Sequence, residues 1–405
     1  QFQNGAVARY PDATHELAVY ALATSVCGFF NACLIFVPQM ANVFARSQRG
    51  SRVCLRFVIA VALLFSLPPA FLAFTDSGTE ILRRLFDLKG PSLGGVVRYL
   101  RYLLPLILLN GLRQYYTGLL VQVRRTVTVT ALRIVELAVV IGMLVLGYRI
   151  GWSAPRTLAS ALLLSAALHL TLTYAMKLRC VRLPERTEHD NLTYREAFSF
   201  FWPVATTSAM FAMSRPILYS FVNRTPDGEA SIAALRVAFD FAMIFHNPLN
   251  QFRHLFVTFG ASDLPGIRRF MIRVVGGMTL VMALVAGTPM LTFLLRDLLG
   301  VEGRVLTMSR HVVWVLCAVP IVVSLRNYCH GISLVRRRTG SMAAGAIFRV
   351  LVIYALSWAL QATGLLSYLA ATGILVLGFV AETLTVVVSG MGAGEKAVAE
   401  ADLED

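Results

Sequence analysis

Acidic residues are scarce in this chain of 405 residues: 22 aspartates and glutamates stand against 37 lysines and arginines, for a net charge of +15. Charged residues of both signs make up only 15% of the sequence, whereas 57% is hydrophobic. Soluble domains carry about 25% charged residues, so the composition excludes that class. Apolar runs long enough to cross a hydrocarbon layer of about 30 Å recur along the chain, which indicates a polytopic α-helical membrane protein.

Motifs of enzymes and of nucleotide-driven pumps are missing as well. No Walker-type glycine loop occurs, so the sequence gives no sign of a built-in ATPase. No HExxH, paired aspartates, Ser–His pair or acidic metal cluster lies in the apolar runs, and we therefore expect neither an enzyme nor a bound metal or cofactor. The six cysteines occur singly and without CxxC spacing, as small buried residues do.

Apolar blocks separated by charged, glycine and proline residues predict eleven transmembrane spans. They cover approximately residues 17–45, 53–75, 95–121, 126–148, 157–176, 196–222, 230–260, 266–295, 310–335, 340–361 and 364–390. Because the first residues after Gln1 resemble the polar end of a helix, we expect one further span to precede this numbering. The expected fold is all-α, with 11–12 transmembrane helices in two six-helix bundles.

The longest hydrophilic interval, residues 177–195, divides these spans into two halves. The predicted domains are an N-terminal bundle with an incomplete first helix, a cytoplasmic linker, a C-terminal bundle and a cytoplasmic tail. Their limits are 1–180, 181–195, 196–392 and 393–405, in that order.

An internal repeat supports this division. Residues 113–126 and 326–339 agree without a gap at an Arg, a Tyr, a Gly, a second Arg and a Thr. Pro105 and Pro320 lie upstream in the same stretch of each copy. Both copies occupy the same ordinal place in their halves, so the repeat is parallel rather than inverted, a pattern known from transporters.

Lysine and arginine are distributed unequally between alternate loops. One set of loops holds 15 of them and the other holds 9, and the richer set is expected to face the cytoplasm. This assignment places the acidic C-terminal tail on the cytoplasmic side of a plasma (inner) membrane. We expect the arginine-rich loops to contact lipid headgroups and not nucleic acid. The sequence does not define an oligomeric state.

Ionisable side chains are numerous inside the predicted spans, although a charge at mid-bilayer costs several kcal/mol. They comprise six arginines, Arg113, Arg133, Arg215, Arg253, Arg326 and Arg349, and three acids, Glu136, Asp240 and Glu382. The excess of positive charge predicts a cationic interior, and an anion is the expected guest. Arg113 and Arg326, which the repeat makes equivalent, are the deepest by residue count and are expected to line a central cavity.

Two interpretations stay open for several of these residues, which are candidates for the cavity or for ion coupling. Glu136 follows Arg133 at the i,i+3 spacing of a structural helix pair. Arg253 lies close enough to a helix end for its guanidinium to reach the interface. Glu382 stands alone in its stretch of sequence.

Two polar interruptions are further candidates for a binding site or a hinge. The stretch His246-Asn247-Pro248-Leu249-Asn250 combines a proline with two amides and an imidazole that could relay protons or serve only in packing. Residues 31–42 in the first half contain a similar proline-centred interruption. Discontinuous helices often hold transporter binding sites, but a packing kink explains the pattern equally well.

Several motifs resemble the progressive ankylosis protein family of the multidrug/oligosaccharidyl-lipid/polysaccharide (MOP) exporter superfamily. They are Phe198-Ser-Phe-Phe-Trp202-Pro203, Ser214-Arg215-Pro216-Ile217, Arg253, Arg326 with Gly331, Phe348-Arg349-Val350 and Gly378-Phe379-Val380-Ala-Glu382. The Ser-Arg-Pro and Gly-Phe-Val-x-Glu motifs together are the most specific part. The resemblance runs through most of the chain from Asn4 onward, but it does not extend to Arg113 or Arg133.

This resemblance implies a MATE-like fold of twelve helices in two bundles around a central cavity that opens alternately inward and outward. It also implies export of small polyanions such as pyrophosphate, ATP and other nucleotides, or citrate. The expected contacts are Arg215, Arg253, Arg326 and Arg349. A lipid-linked oligosaccharide or polysaccharide flippase of the same superfamily is the alternative, since its pyrophosphate linkage suits the same arginines. A cation or drug antiporter fits less well, because its cavity should be acidic.

Overall fold

The computed structural model describes residues 2–185, 193–250, 252, 264–335 and 340–401, and within these ranges the chain is helical and contains no strand. Its packing divides the chain into two compact units. The N-terminal unit consists of Tyr10–Ala212, and the C-terminal unit consists of Gln3–Arg9 together with Met213–Asp405. The boundary between the two packing units lies between Ala212 and Met213, inside the helix Tyr194–Val222. It does not test the domain limits predicted from the sequence, which stay a prediction.

The helices are numbered here in chain order. They are α1 Phe2–Val7, α2 Ala13–Ala32, α3 Val37–Phe44, α4 Gln48–Phe74, α5 Asp76–Phe86, α6 Gly90–Leu103, α7 Pro105–Gln122, α8 Thr126–Arg149, α9 Ala154–Cys180, α10 Tyr194–Val222, α11 Gly228–Asn250, α12 Leu264–Gly287, α13 Pro289–Thr292, α14 Gly303–Leu316, α15 Val319–Val335, α16 Gly340–Ala362 and α17 Tyr368–Ala401. A short π-helical turn, Phe293–Leu298, follows α13.

Eight spans in the described residues are long and apolar enough to cross a membrane, or nine if α14 and α15, bent by 41°, form one span. They correspond to nine of the eleven predicted spans. The other two predictions, 196–222 and 230–260, fall on α10 and α11, which are helical but do not pass the same test. Both helices carry charged side chains: α10 holds Arg215, and α11 holds Arg236 and Asp240 one turn apart.

Prolines interrupt the helices at corresponding places in the two copies of the repeat. Pro105 is the first residue of α7, directly after α6, and Pro320 is the second residue of α15, directly after α14. Proline has no backbone N–H to continue a helix, so a new helix begins at each site. Pro38 likewise follows the predicted break between α2 and α3. For the interruption at 246–250, the described residues show no break between Gly228 and Asn250, since Pro248 lies inside α11.

The repeated tyrosine and glycine of the first half have a packing role in the N-terminal unit. The Tyr115 hydroxyl donates a hydrogen bond to the Ser51 carbonyl over 2.8 Å and thereby joins α7 to α4. A Cβ at Gly118 would lie 2.6 Å from the Pro38 carbonyl oxygen, so only glycine permits this approach of α7 to α3. The same helix carries Arg113, whose position is fixed by these contacts.

Candidate functional site

Within the described helices, three clusters of charged side chains each contain two guanidiniums that share one carboxylate. They are named here by their acid: the Glu382 cluster (Arg326, His330, Arg349, Glu382), the Asp240 cluster (Asn4, Arg215, Arg236, Asp240) and the Glu136 cluster (Arg113, Arg133, Glu136, His169). The first two belong to the C-terminal unit and the third to the N-terminal unit.

The Glu382 cluster joins α15, α16 and α17 in the interior of the C-terminal unit. Arg349 Nη1 donates to Glu382 Oε2 over 2.6 Å, and Arg326 Nη1 lies 3.6 Å from the same oxygen. His330 Nε2 is 3.5 Å from Glu382 Oε1. All four side chains are buried, with exposed fractions of 1–3%. Glu382 is therefore not alone, because the fold brings to it groups that lie 33–56 positions away in sequence.

Polar and aromatic neighbours hold the two arginines of this cluster. Arg326 Nη2 donates to Asn327 Oδ1 over 3.2 Å and to Asn250 Oδ1 over 3.4 Å. Both guanidiniums lie over the Phe379 ring, with Cζ 5.4 Å and 5.5 Å from its centroid. A ring face attracts a cation by its quadrupole, so Phe379 offsets part of the repulsion between the like charges.

Glycine at Gly345 and Gly378 permits the close packing of α16 and α17 that forms the cluster. A Cβ at Gly345 would lie 3.0 Å from the Glu382 carbonyl oxygen, and one at Gly378 would lie 3.1 Å from Arg349 Cγ. At these distances a larger residue at either position would require its neighbours to shift. The Gly-Phe-Val-x-Glu motif thus supplies three parts of the cluster: the close approach, the ring and the acid.

The Asp240 cluster combines α10 and α11 with the N-terminal segment. Arg215 Nη1 lies 3.5 Å from Asp240 Oδ1, and Arg236 Nη2 lies 3.5 Å from Asp240 Oδ2. Asn4 Nδ2 donates to Asp240 Oδ2 over 3.1 Å, and Arg236 Nε donates to Asn4 Oδ1 over 3.0 Å. The Arg215 side chain is 37% exposed and its contact is long, so it is the more accessible guanidinium of this pair.

Replacing Asn4 by alanine is expected to lower the stability of the C-terminal unit by about 1–3 kcal/mol, because Asn4 is fully buried and makes two hydrogen bonds to charged partners. The measurement is the unfolding temperature of the purified protein in detergent. Arg9→Ala is the matched control on the same segment, since Arg9 is exposed and donates one hydrogen bond to the Leu298 carbonyl. Equal, small shifts for both variants would contradict the role of Asn4.

The Glu136 cluster joins α7, α8 and α9. Arg113 Nη1 donates to Glu136 Oε1, and Arg133 Nη1 donates to Glu136 Oε2 over 3.0 Å at the predicted i,i+3 spacing. His169 Nδ1 lies 2.6 Å from Glu136 Oε2. The Arg133 side chain is 40% exposed, whereas those of Arg113 and His169 are 12% and 1% exposed.

The remaining predicted site residues fall into three groups. Arg253 lies outside the described residues. Asn250 contacts Arg326 and so belongs beside the Glu382 cluster. His246 is buried and hydrogen-bonded to the backbone of Leu316, Asn247 is exposed, and no described contact links either to the three clusters. Among the described residues, no group of three or more His, Cys, Asp or Glu side chains could hold a metal ion.

Several cluster members were not predicted as site residues. His330 follows Arg326 by four positions and thus lies on the same helix face, a spacing that could have identified it. Asn327 donates to the Leu249 carbonyl over 2.9 Å and fixes α15 to α11. His169 and Asn4 had no local signal, since their partners are 33 and 236 positions away.

Comparison with known proteins gives a family and a fold. The family model described as progressive ankylosis protein (ANKH) matches residues 1–238, more than half of the chain. An inward-facing multidrug resistance MATE family transporter of the MOP superfamily is similar at a TM-score of 0.74 and 14% identity, covering 98% of this chain and 94% of that one.

Two further solved structures have the same fold. The lipid II flippase MurJ, in an inward closed conformation, is similar at a TM-score of 0.71 and 14% identity over 96% of this chain and 84% of its own. A MOP superfamily transporter from Pyrococcus furiosus Vc1, whose reverse polarity of the binding pocket suggests a different function, has a TM-score of 0.59 and 14% identity. It is matched over 96% of this chain and 90% of its own. The chain thus has the fold of MATE and MOP transporters.

Proposed function

Because the chain belongs to the progressive ankylosis protein family, we propose that it exports small polyanions, namely pyrophosphate, nucleotides such as ATP, or citrate, by alternating access. The membrane-transporter fold is the premise, and the identity of the cargo is what the proposal adds. The cargo's negative charge is argued from the clusters, while the particular polyanions follow from the family resemblance.

One observation carries the proposal: in the described helices, Glu382, Asp240 and Glu136 are each shared by two arginines. With the imidazoles neutral, the ionised side chains of every cluster sum to +1. Burying such groups costs several kcal/mol, and a single carboxylate offsets only one of the two guanidiniums. An arriving polyanion lowers the electrostatic energy of the clusters, whereas a cation raises it.

Arginine also suits the proposed cargo by geometry. Its planar guanidinium presents donors in a fork that matches two oxygens of a phosphate or carboxylate. Arg215 is the accessible donor, held by a 3.5 Å contact with Asp240 and by the Phe239 ring, whose centroid lies 5.8 Å from its Cζ. Arg326 and Arg349 are buried around Glu382. We therefore assign first contact with the anion to Arg215 and its tight binding to Arg326 and Arg349, with Arg253 and Arg113 as further candidates.

Features of proteins with the same fold support the proposal. MATE family transporters of the MOP superfamily are known in inward-facing and outward-facing conformations, which is the pair of states that alternating access requires. The Pyrococcus furiosus transporter has a binding pocket of reverse polarity, so the polarity of the pocket differs among transporters of this fold. The unequal loop charges support a cytoplasmic C-terminus. A plasma (inner) membrane location is part of the same proposal.

Replacing Arg215 by lysine is expected to raise the half-saturating pyrophosphate concentration by about tenfold, because lysine keeps the charge but loses the second hydrogen bond of the fork. Arg215→Ala is expected to abolish transport in a protein that stays folded. The measurement is the initial uptake rate into proteoliposomes over a range of pyrophosphate concentrations. Normal half-saturation in both variants would remove Arg215 from the site.

A lipid-linked oligosaccharide or polysaccharide flippase remains the second candidate, and the similarity to the lipid II flippase MurJ favours it. Its pyrophosphate linkage presents the same oxygens to the arginines, so the clusters do not separate the two functions. A flux assay with soluble polyanions separates the two functions, because a flippase moves its lipid-anchored cargo and does not carry free pyrophosphate.

The deciding experiment is a flux assay with purified protein in proteoliposomes. Pyrophosphate, ATP and citrate are tested as soluble cargo under defined pH and sodium gradients, and a lipid-linked pyrophosphate sugar is tested by its exposure on the outer leaflet. Saturable flux of a soluble polyanion supports the proposal. Movement of the lipid alone supports the flippase, and movement of neither contradicts both.

A further inference from the structure

The two units carry the same four kinds of side chain on helices that the repeat makes equivalent. In the C-terminal unit, α15 holds Arg326 and His330, α16 holds Arg349 and α17 holds Glu382; in the N-terminal unit, α7 holds Arg113, α8 holds Arg133 and Glu136 and α9 holds His169. Both sets therefore contain two arginines, one glutamate and one histidine.

The sets differ in where the histidine lies relative to the acid. His169 Nδ1 is 2.6 Å from Glu136 Oε2, within hydrogen-bond distance, whereas His330 Nε2 is 3.5 Å from Glu382 Oε1. An ionised carboxylate is only an acceptor, so Nδ1 of a neutral His169 carries the hydrogen and donates it. The other ring nitrogen, Nε2, then holds a lone pair and is the place for a second proton.

His169 is well placed to change the charge of its cluster. Its side chain is only 1% exposed, and its Nε2 atom has no hydrogen-bond partner among the described residues. Histidine is the side chain whose charge ordinarily changes between about pH 5 and pH 8. Uptake of one proton from water at Nε2 converts the imidazole to imidazolium and takes the cluster from +1 to +2.

The charged and titratable groups that face His169 come from the helices packed against α9. From α8 they are Glu136 and, through it, Arg133; from α7 Arg113 reaches the same carboxylate. The third helix in contact, α6, carries Arg98 and Arg101, both exposed, and Arg101 Nε donates to the Ala73 carbonyl. Glu136 stabilises the imidazolium, and the two arginines oppose it.

We propose that His169 binds a proton whose uptake is coupled to anion binding, an inference that rests on the proposed function. An anion at the 40% exposed Arg133 side chain offsets the second positive charge and so favours protonation of His169. Linkage is reciprocal, so the protonated cluster binds the anion more tightly by the same factor. Anion affinity is therefore highest at low pH and falls as pH rises and His169 loses its proton.

The test compares His169→Asn with the wild type in proteoliposomes, with radiolabelled pyrophosphate as the probe at about pH 6 and about pH 8. Asparagine keeps an N–H donor near the position of Nδ1 but cannot titrate. The ratio of half-saturating concentrations, high pH over low pH, is expected to be at least about fivefold larger in the wild type than in the variant. Titration of pyrophosphate itself affects both proteins equally.

Two further variants keep the result interpretable. His311→Asn changes an exposed histidine whose Nδ1 lies 2.9 Å from the Tyr368 hydroxyl, and it should keep the wild-type ratio. His169→Gln is a second substitution that cannot titrate, and it leaves Arg133 in place for the anion, so it should lose the ratio as His169→Asn does. It decides the question if His169→Asn fails to fold.

The outcomes separate the two proposals. Ratios in His169→Asn and His169→Gln equal to that of the wild type overturn the role of His169 while polyanion export stands. No saturable pyrophosphate, ATP or citrate flux by the wild type at either pH overturns the proposed function and the coupling site with it. If His169→Asn still transports pyrophosphate but its half-saturating concentration no longer depends on pH as in the wild type, both polyanion export and the role of His169 are supported.

Discussion

Replacing Arg326 by alanine is expected to reduce pyrophosphate transport by at least about 100-fold. The variant loses the proposed contact between the Arg326 guanidinium and the bound anion, and removing one partner of a buried, hydrogen-bonded charge pair costs about 2–5 kcal/mol of binding free energy. The protein should still fold. Without Arg326, the 2.6 Å pair between Arg349 and Glu382 is matched one to one, so no buried charge is left uncompensated within the described cluster.

The flux is measured in proteoliposomes, and folding is measured by size-exclusion chromatography and thermal unfolding. Arg304→Ala is the matched control, since Arg304 is an exposed arginine of the same unit that pairs with Asp227. Its effect on transport should be less than about twofold. Wild-type flux in Arg326→Ala would show that the anion does not use the Glu382 cluster.

Replacing Glu382 by glutamine should destabilise the protein by about 3–5 kcal/mol, the cost of leaving a buried ion pair without one partner. The amide keeps the shape of the side chain but leaves Arg326 and Arg349 together around a neutral group, both over the Phe379 ring. The expected result is a large fall in the unfolding temperature in detergent.

A double variant separates charge from shape. Adding Arg349→Gln to Glu382→Gln removes one of the two guanidiniums that surround the neutral amide and should restore a substantial part of the lost stability. Arg304→Gln added to Glu382→Gln is the control and should restore none. If Glu382→Gln unfolds at the wild-type temperature, the guanidiniums do not depend on this carboxylate.

Much of the helical framework could be predicted from the sequence, because apolar length and proline placement are local signals. The prolines at 105 and 320 begin new helices at equivalent points of the repeat, as their missing N–H groups require. Pro248 did not mark a helix end in the same way, since it lies inside α11.

The clusters were only partly predictable, because their partners are distant in sequence. The excess of intramembrane arginine over acid was visible, and so was the Arg133–Glu136 spacing. The sharing of each acid by two arginines was not, since Glu382 meets Arg326 and Arg349 only when three helices pack. The part played by Asn4 depends on a segment at one end of the chain packing with residues 232 and 236 positions away.

The central claim is that the charge of the clusters selects an anion. The most direct measurement is the thermal stability of the purified wild-type protein with pyrophosphate, ATP or citrate, compared at equal ionic strength with chloride and with a lipophilic organic cation. Stabilisation that saturates with a polyanion, and its loss in Arg326→Ala, is the predicted result. Stabilisation by the cation alone, with no response to any polyanion, would contradict the claim.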